Sequence, residues 1–449
     1  PTNEEDDKLD RVPITIYTKD PGYFSLITRG TGAFDPTEET DGQKRNPTFY
    51  VFAFRAGTGP DASGGQGLLK NAPNLQRTAY VEGNSNADPD NQSCLLDGTD
   101  YNLGMPYVFK SSDDETGTVG GLIPKDGKTY YYSGSYQDVG YNFFGFHIDD
   151  FEVNSSNTHR ETDKIWYDLE LDGYRDIMVG YADSLSIADF QNGGRFGPDL
   201  VALSEEEKIK ILSMYGGYST YSGHRNVNPV INMKHMLARL NFQAYAADPS
   251  AKEQNVKITK IEVEAPKYGK MYVAGRKHNS CGVEFDTNED HLEFFSVKEK
   301  PAHLGDQYTQ NLKGYTFGWV ETDQVFDNPE DKLEEERRIN AMDEYVQNIG
   351  GGLLLAPSAE YKVKITFEYR LQGYSKPVER VANYRIKPAD NDQYSKDDVT
   401  GELMFKAGIK YNIKIAVWGM QKIQIGGTVK GWGEGVTIPV DPDSEEQED

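Results

Sequence analysis

The sequence predicts an all-β protein of antiparallel strands joined by long loops. Three observations carry the prediction. Short runs alternate apolar and polar residues with a period of two, the mark of a strand with one buried face. The 29 Tyr and 20 Phe favour a pleated, half-buried surface. The 45 Gly and 21 Pro interrupt these runs throughout. At 449 residues the chain is long enough for two domains, each with its own core.

Composition excludes several classes. The net charge of −25 argues against nucleic acid, because neutralising phosphates needs clustered Lys and Arg; it favours solubility. No stretch of about 18 apolar residues occurs, the length a membrane-crossing helix requires. The opening, PTNEEDDKLD, carries no signal peptide and reads as a matured or trimmed N-terminus, which fits an exported protein that has lost its signal and leaves a cytoplasmic one open. Cys94 and Cys281 are too few for a disulfide framework, and nothing in their spacing pairs them.

Taken in order, residues 1–10 form an acidic, solvated leader. Ile14 and Ile16 then alternate with Thr15 and Tyr17, and Phe24 and Leu26 with Ser25 and Ile27. This is one strand, or a broken pair interrupted at Pro21-Gly22. It stops at Arg29, and a Gly-, Pro- and acid-rich loop containing Arg45 follows. Residues 49–54 are apolar on both faces and read as a central strand; 55–128 are mostly loop. Strands return at 130–132, 141–146, 165–169 and 176–181. SEEEKIKILSMY (204–215) reads as a helix with Ser204 as its cap, Glu207 at the capping-box position, and Ile209 and Leu212 on one face.

A domain boundary is expected at 216–229, GGYSTYSGHRNVNP. The next stretch, INMKHMLARLNFQAY, fits two periods. Met236, Leu240 and Tyr245 suit a helix, whereas Ala238, Leu240, Phe242 and Ala244 suit a strand. Asn228-Pro229 ahead of it, and the lack of a helix cap, favour a strand from Leu237. His235, among apolar neighbours, reads as structural. Residues 256–263 form a strand whose alternation slips at Lys260, which marks a bulge. A helix is expected at 329–346 on an inserted loop, and residues 353–355 form an apolar run after a Gly triplet. Tyr361, Val363, Ile365, Phe367 and Tyr369 then alternate without a fault.

The chain closes on three β-runs: Tyr411, Ile413, Ile415 and Val417; Ile423, Ile425 and Val429; and Val436, Ile438 and Val440. Gly426-Gly427 signals a bulge or close backbone approach. Only an acidic tail follows. Strands at the end of a chain pair with their own sheet or are lent to another molecule.

Catalytic and cofactor signatures do not emerge. The seven His show no H-x-x-x-H or H-E-x-x-H spacing for zinc. The Gly clusters at 64–67, 193–194 and 350–352 lack the P-loop and dinucleotide-turn patterns, and no G-x-S-x-G elbow occurs. Asp88-Pro-Asp-Asn91 and Asp390-Asn-Asp392 lack the calcium loop of an EF-hand and read as solvated loops. Among 72 acids no facing pair stands out for glycoside hydrolysis. The chain is expected to be no enzyme and to hold no cofactor or metal.

With these segments laid out, the chain resembles the FimA/Mfa1-like fimbrillins, the type V pilus subunits of the Bacteroidetes. The resemblance lies in FKAGIKYNIKIAVWG with its G-x-x-Y-x-x-x-I run, IQIGGTVKGWGEGVTIPV with Trp432, GGLLLAPSAEYKVKITFEY, NPVINMKHMLARLNFQAY with His235 and Leu240, NFFGFHIDD and RDIMVGYAD. It covers nearly the whole chain. It implies two transthyretin-like antiparallel β-sandwich domains with long loops and a few short helices. On this reading residues 1–29 are a leader and removable first strand, 30–222 and 223–420 the two sandwiches, and 421–449 donor strands and tail. The resemblance also implies export as a lipoprotein through the outer membrane to the cell surface. An Arg-specific protease would cut after Arg29, or at Arg45 in reserve, opening a groove that another subunit's C-terminal strand fills. The donor side chains would be Ile423, Ile425, Val429, Val436 and Ile438. Partners are then other pilus subunits, the maturation protease, and a host or bacterial surface ligand. The alternatives are that the closing strands complete the chain's own second sandwich, and that the protein is a non-polymerising, glycan-binding surface lipoprotein. An extracellular hydrolase is the third reading.

Overall fold

The computed structural model describes residues 12–19, 48–56, 80–81, 94–96, 104–110, 119–132, 140–149, 156–161, 164–215, 217–246, 256–275, 277–299, 312, 315–316, 347–370, 373–388, 395–417 and 423–431. Among them are twenty-three strands. The all-β class is as the alternating runs predict.

Seven strands close on themselves. β1 (Ile16–Lys19), β2 (Thr48–Arg55), β5 (Met105–Lys110), β6 (Val119–Pro124), β8 (Tyr141–Ile148), β11 (Ile177–Ala182) and β12 (Val230–His235) pair in the circular order β2-β5-β6-β1-β12-β11-β8 and back to β2. β4 (Cys94–Leu96) pairs β2 alongside β5. β3 (Tyr80–Val81) and β7 (Tyr130–Tyr131) form a separate ribbon. Ile16, Val51, Tyr107, Phe143, Met178 and Ile231 share the core enclosed by the ring. The opposite faces of β2, β8 and β11 carry Phe52, Phe144, Phe146 and Val179 into a second core. This explains why 49–54 is apolar on both faces.

Three further sheets surround that second core. β9 (Thr158–Arg160), β10 (Lys164–Glu170), β15 (Tyr268–Gly275) and β16 (Gly282–Phe285) run in the order β16-β15-β10-β9. β13 (Ala238–Ala246), β19 (Gln347–Leu355), β22 (Ile409–Val417) and β23 (Ile423–Gly431) run β19-β13-β22-β23. β14 (Lys257–Pro266), β17 (Leu292–Ser296), β20 (Tyr361–Tyr369) and β21 (Val378–Ile386) run β17-β14-β20-β21, and β18 (Tyr315–Thr316) adds to β14. β13, β20 and the bulge in β14, between Ile258 and Lys260, stand where the sequence places them.

Two pairings, β1 with β12 and β13 with β22, are parallel. A period of two reveals a buried face and is silent on strand direction. Hydrogen bonding also crosses the boundary expected at 222/223. β12 lies beyond it yet closes the first ring, and β15 lies beyond it yet pairs with β10. The chain leaves the ring at Met236, whose N–H donates to Ile177 O at 2.9 Å; Leu237 O already accepts from Gly408 N, at 2.9 Å. The turn residues of 216–229 mark the short helix α2 (Thr220–Gly223) within the first unit.

Helix α1 (Glu205–Tyr215) starts as expected. Ser204 N donates to Glu207 Oε2 at 2.8 Å and Glu207 N to Ser204 Oγ at 3.2 Å. Its inner face differs. Ile209 is 56% exposed, while Lys208, Ile211 and Leu212 turn inward. The aliphatic stem of Lys208 covers apolar surface and its ammonium reaches Glu205 at 2.9 Å. The helix expected at 329–346 and the run at Phe24 and Leu26 lie outside the described residues.

Gly145 of β8, Gly180 of β11 and Met233 of β12 lie side by side across three strands. A β-carbon on Gly180 would sit 2.5 Å from the Asn232 carbonyl oxygen, whereas one on Gly145 would meet only side-chain atoms of Ile231 and Met233, at 3.2 Å. Gly180→Ala is therefore expected to destabilise by about 1–3 kcal/mol, with Gly145→Ala costing less because side chains yield more readily than backbone. Denaturant unfolding of the two variants checks the order.

Candidate assembly site

The first strand is threaded into the ring by its alternation. Val12, Ile14, Ile16 and Thr18 are 5%, 8%, 1% and 0% exposed, while Pro13, Thr15 and Tyr17 face outward. Ile14 N donates to Tyr130 O at 2.7 Å, Tyr132 N to Val12 O at 2.9 Å, and Tyr17 N to Pro229 O at 3.0 Å. Thr18, the one polar inward residue, satisfies its hydroxyl by donating to Ile231 O at 2.9 Å. β1 runs antiparallel to β6, from Ile16 opposite Leu122 to Lys19 opposite Val119, and parallel to β12 through Tyr17 and Thr18. It is the sole described link between β6 and β12. Without it the ring opens into a groove bounded by two unpaired edges.

Both ends of the ring are closed by polar clusters. At the Val12 end, Gly223 of α2 comes so close that a β-carbon there would lie 2.5 Å from Val12 Cγ1. Tyr218 packs edge-on against Phe143, accepts from Arg195 Nη1 at 2.7 Å and donates to Asp183 O at 2.6 Å. Arg195 also forks onto Asp189, whose Oδ2 accepts from Ser186 N at 2.7 Å. Burial pushes the Asp189 carboxyl up, but the Arg195 guanidinium and the Ser186 amide outweigh it and hold its pKa below the usual range.

At the other end His147, Asp149, Asp176 and His235 are all buried. His147 Nδ1–H donates to Thr48 O at 2.8 Å, leaving Nε2 to share a proton with Asp149 Oδ1 at 2.7 Å. Asp176 N donates to Asp149 Oδ2 at 3.0 Å, and His235 Nδ1 stands 2.8 Å from Asp176 Oδ2. Burial pulls the His147 pKa down, yet Asp149 and the Thr48 carbonyl raise it overall; burial raises that of Asp149 despite the imidazole. The four groups tie β8, β11 and β12 together, in keeping with a structural His235.

Chemistry elsewhere is sparse. Among the described residues no three His, Cys, Asp or Glu side chains converge as metal ligands. Cys281 is a free thiol, its pKa pushed up to about 12 by burial, so it forms no bridge with Cys94. On the outer face of β10, the Trp166 ring stacks on His159 at 4.9 Å with Lys164 Nζ 5.2 Å from its centroid. Neighbours within the sheet thus cover the indole, which acts as a cross-strand ladder.

Of the residues singled out from sequence, Ile423, Ile425 and Val429 lie on β23, opposite Val417, Ile415 and Tyr411 of β22. Among the described residues β23 occupies a sheet edge, paired on one side. Arg29, Arg45, Val436 and Ile438 lie outside the described residues. Sequence reasoning missed β12 as the partner of β1, although Ile231, Met233 and His235 already carry the period of two.

No family profile matches the chain, and no curated protein matches it in sequence. Solved structures similar to it include a candidate cell adhesion protein from Bacteroides uniformis, at 10% identity over 96% of this chain and 99% of that one, with a TM-score of 0.40. The tip fimbrial protein Mfa3 from Porphyromonas gingivalis, with a C-terminal truncation, is 10% identical over 93% and 99%, at 0.30. The fimbrial anchor protein Mfa2 from the same organism is 7% identical over 94% and 100%, also at 0.30. These neighbours are fimbrial and cell adhesion proteins.

The Asp189 carboxylate is more acidic folded than unfolded, so its stabilisation is present above the ordinary carboxylate pKa and is lost as pH falls through the lower, folded value. Asp189→Asn is expected to cost about 1–3 kcal/mol at neutral pH and to flatten the fall in stability on acidification. Unfolding followed from pH 6 to pH 3 tests the sign; an unchanged acid slope rejects it.

Proposed function

We propose that the chain is a structural or adhesive pilus subunit, assembled by protease-triggered donor-strand exchange, and not an enzyme. One observation carries this reading: β1 is a single stave between β6 and β12, and Val12, Ile14, Ile16 and Thr18 fill alternate buried slots along it and the segment leading into it. Cutting the chain after Arg29, or after Arg45 in reserve, frees residues 1–29 from everything that follows. Removing the stave leaves two facing strand edges, an open template for a strand from another molecule. Each aliphatic side chain that refills a slot contributes roughly 1.5–3 kcal/mol.

The far end of the chain supplies a matching series. Val436, Ile438 and Val440 repeat the size and spacing of Val12, Ile14 and Ile16. Read backwards from 440, the sequence Val-Pro-Ile-Thr repeats residues 12–15 in composition and order. The donor is drawn from 421–440, with Ile423, Ile425 and Val429 as its earlier side chains; among the described residues β23 is paired on one side only. Export as a lipoprotein, a surface location and a host or bacterial ligand belong to the same proposal, as does the division into a removable 1–29, two β-units and a donor at 421–449.

Two experiments test it. Limited digestion with trypsin should yield a stable fragment beginning at Gly30; a first cut elsewhere, or general degradation, rejects the removable strand. A chain ending at Gly431, with β23 intact, should keep its thermal transition and yet fail to form fibres after protease treatment. If it unfolds or aggregates instead, the deleted segment belongs to its own core.

A further inference from the structure

The inward row Val12, Ile14, Ile16 and Thr18 meets its walls differently at its two ends. At one end Thr18 brings a hydroxyl and Ile231 O receives it, at 2.9 Å. At the other end Val12 brings only methyl groups, and the wall brings the hydroxyl. Tyr132 lies there, 1% exposed, its N–H donating to Val12 O at 2.9 Å and its ring edge-on to Phe143 at 6.4 Å. The buried Tyr132 hydroxyl has no hydrogen-bond partner among the described residues. Tyr218, close by, is already engaged by Arg195 and Asp183 O. Burial pushes the Tyr132 pKa well above the ordinary tyrosine value, and the phenols of Tyr218, Tyr107 and Tyr141 add to it. The group therefore stays a neutral hydroxyl, able both to donate and to accept.

What Tyr132 lacks, the occupant of the Val12 slot can supply. A β-carbon placed on Gly223 would stand 2.5 Å from Val12 Cγ1 and 3.4 Å from Tyr132 Cε2. The two side chains thus converge on one point of α2, and Cε2 is bonded to the ring carbon that carries the hydroxyl. Threonine keeps the branching of valine and exchanges one methyl for a hydroxyl. Buried without a partner, that exchange is costly. Beside an unmatched phenol it makes one hydrogen bond and leaves neither group unmet. Gly223 presses so close that the slot takes nothing larger.

We infer that the groove left by β1 selects its new strand at the Val12 slot: the strand that replaces β1 carries threonine or serine there and hydrogen-bonds Tyr132. The inference rests on the strand-exchange reading above. It gives the exchange a direction, since the chain's own first strand leaves a buried hydroxyl unmatched and its replacement matches it. It also narrows the partner. With Val436, Ile438 and Val440 facing inward, a second copy of this chain brings no hydroxyl to the row, so the fitting strand belongs to a different subunit.

Denaturant unfolding of the full chain tests the pairing. Val12→Thr should raise the folding constant, by at least about fivefold more in the parent than in the Tyr132→Phe background. An equal effect in both backgrounds, or a Val12→Thr chain that no longer folds, overturns the inference. So does a loss of about fivefold or more from Tyr132→Phe alone, which shows the hydroxyl already satisfied. The preference is then read on the chain cut after Arg29, with the protease inhibited and two labelled peptides added: residues 12–19, VPITIYTK, and the same peptide with Val12→Thr. The threonine peptide should be held at least about fivefold more tightly. Equal retention overturns the preference and leaves strand exchange standing. If neither peptide enters although the unfolding data show the coupling, the pilus reading fails and the match between the Val12 slot and Tyr132 stands.

Discussion

A ring of hydrogen-bonded strands has no edge, and that condition rests on β1. Each stave pairs on both sides, so withdrawing any one opens the ring, and β1 is the stave proposed to leave. β6 and β12 meet only through the four residues Ile16–Lys19 and the segment that leads into them. Backbone amides and carbonyls buried without partners are costly, so the groove must always contain a strand. What that strand is chemically matters less than its fit: branched aliphatics at alternate positions, small residues where α2 presses in at Gly223, and backbone groups facing both edges.

The two polar clusters complement this economy of strands. The Arg195, Asp189 and Tyr218 group fixes the loop that roofs one end of the ring, and the His147, Asp149, Asp176 and His235 group knots three strands at the other. Between them the interior is aromatic and aliphatic. Buried polar groups of this kind lie within reach of one another's charges, and their pairing specifies which strands meet. The ends of the ring are thereby held independently of the stave proposed to leave.

Legibility in the sequence followed burial. Residues 361–369 and 411–417 declare themselves because one face is core and the other is not, and 49–54 because both faces are core. The helix at 204 was readable from its cap, yet its inner face was not, since a lysine stem can do the work of a leucine at position 208. The pairings that cross residue 222 were hidden for a similar reason. Glycine and proline report local turns, whereas β12 and β15 join sheets begun on the other side of residue 222, and pairing partners leave no local trace. Strand direction is equally silent. Of the assembly site, the alternating first strand and the closing runs were visible; that the first strand bridges two otherwise separate edges required the topology.

The parallel contact between β1 and β12 also sets an order in time. Thr18 and Ile231 are 213 residues apart in sequence and adjacent in the sheet. A ribosome delivers β1 first and its partner only after nearly half the chain has appeared, and contacts of such separation are slow to form because a long loop must be closed before they yield any stabilisation. β1 can pair with β6 as soon as that strand appears, but its other edge stays unpaired until β12 emerges. An unpaired edge on a growing chain is a template for any strand it meets, so the ring is protected only once β12 has closed it.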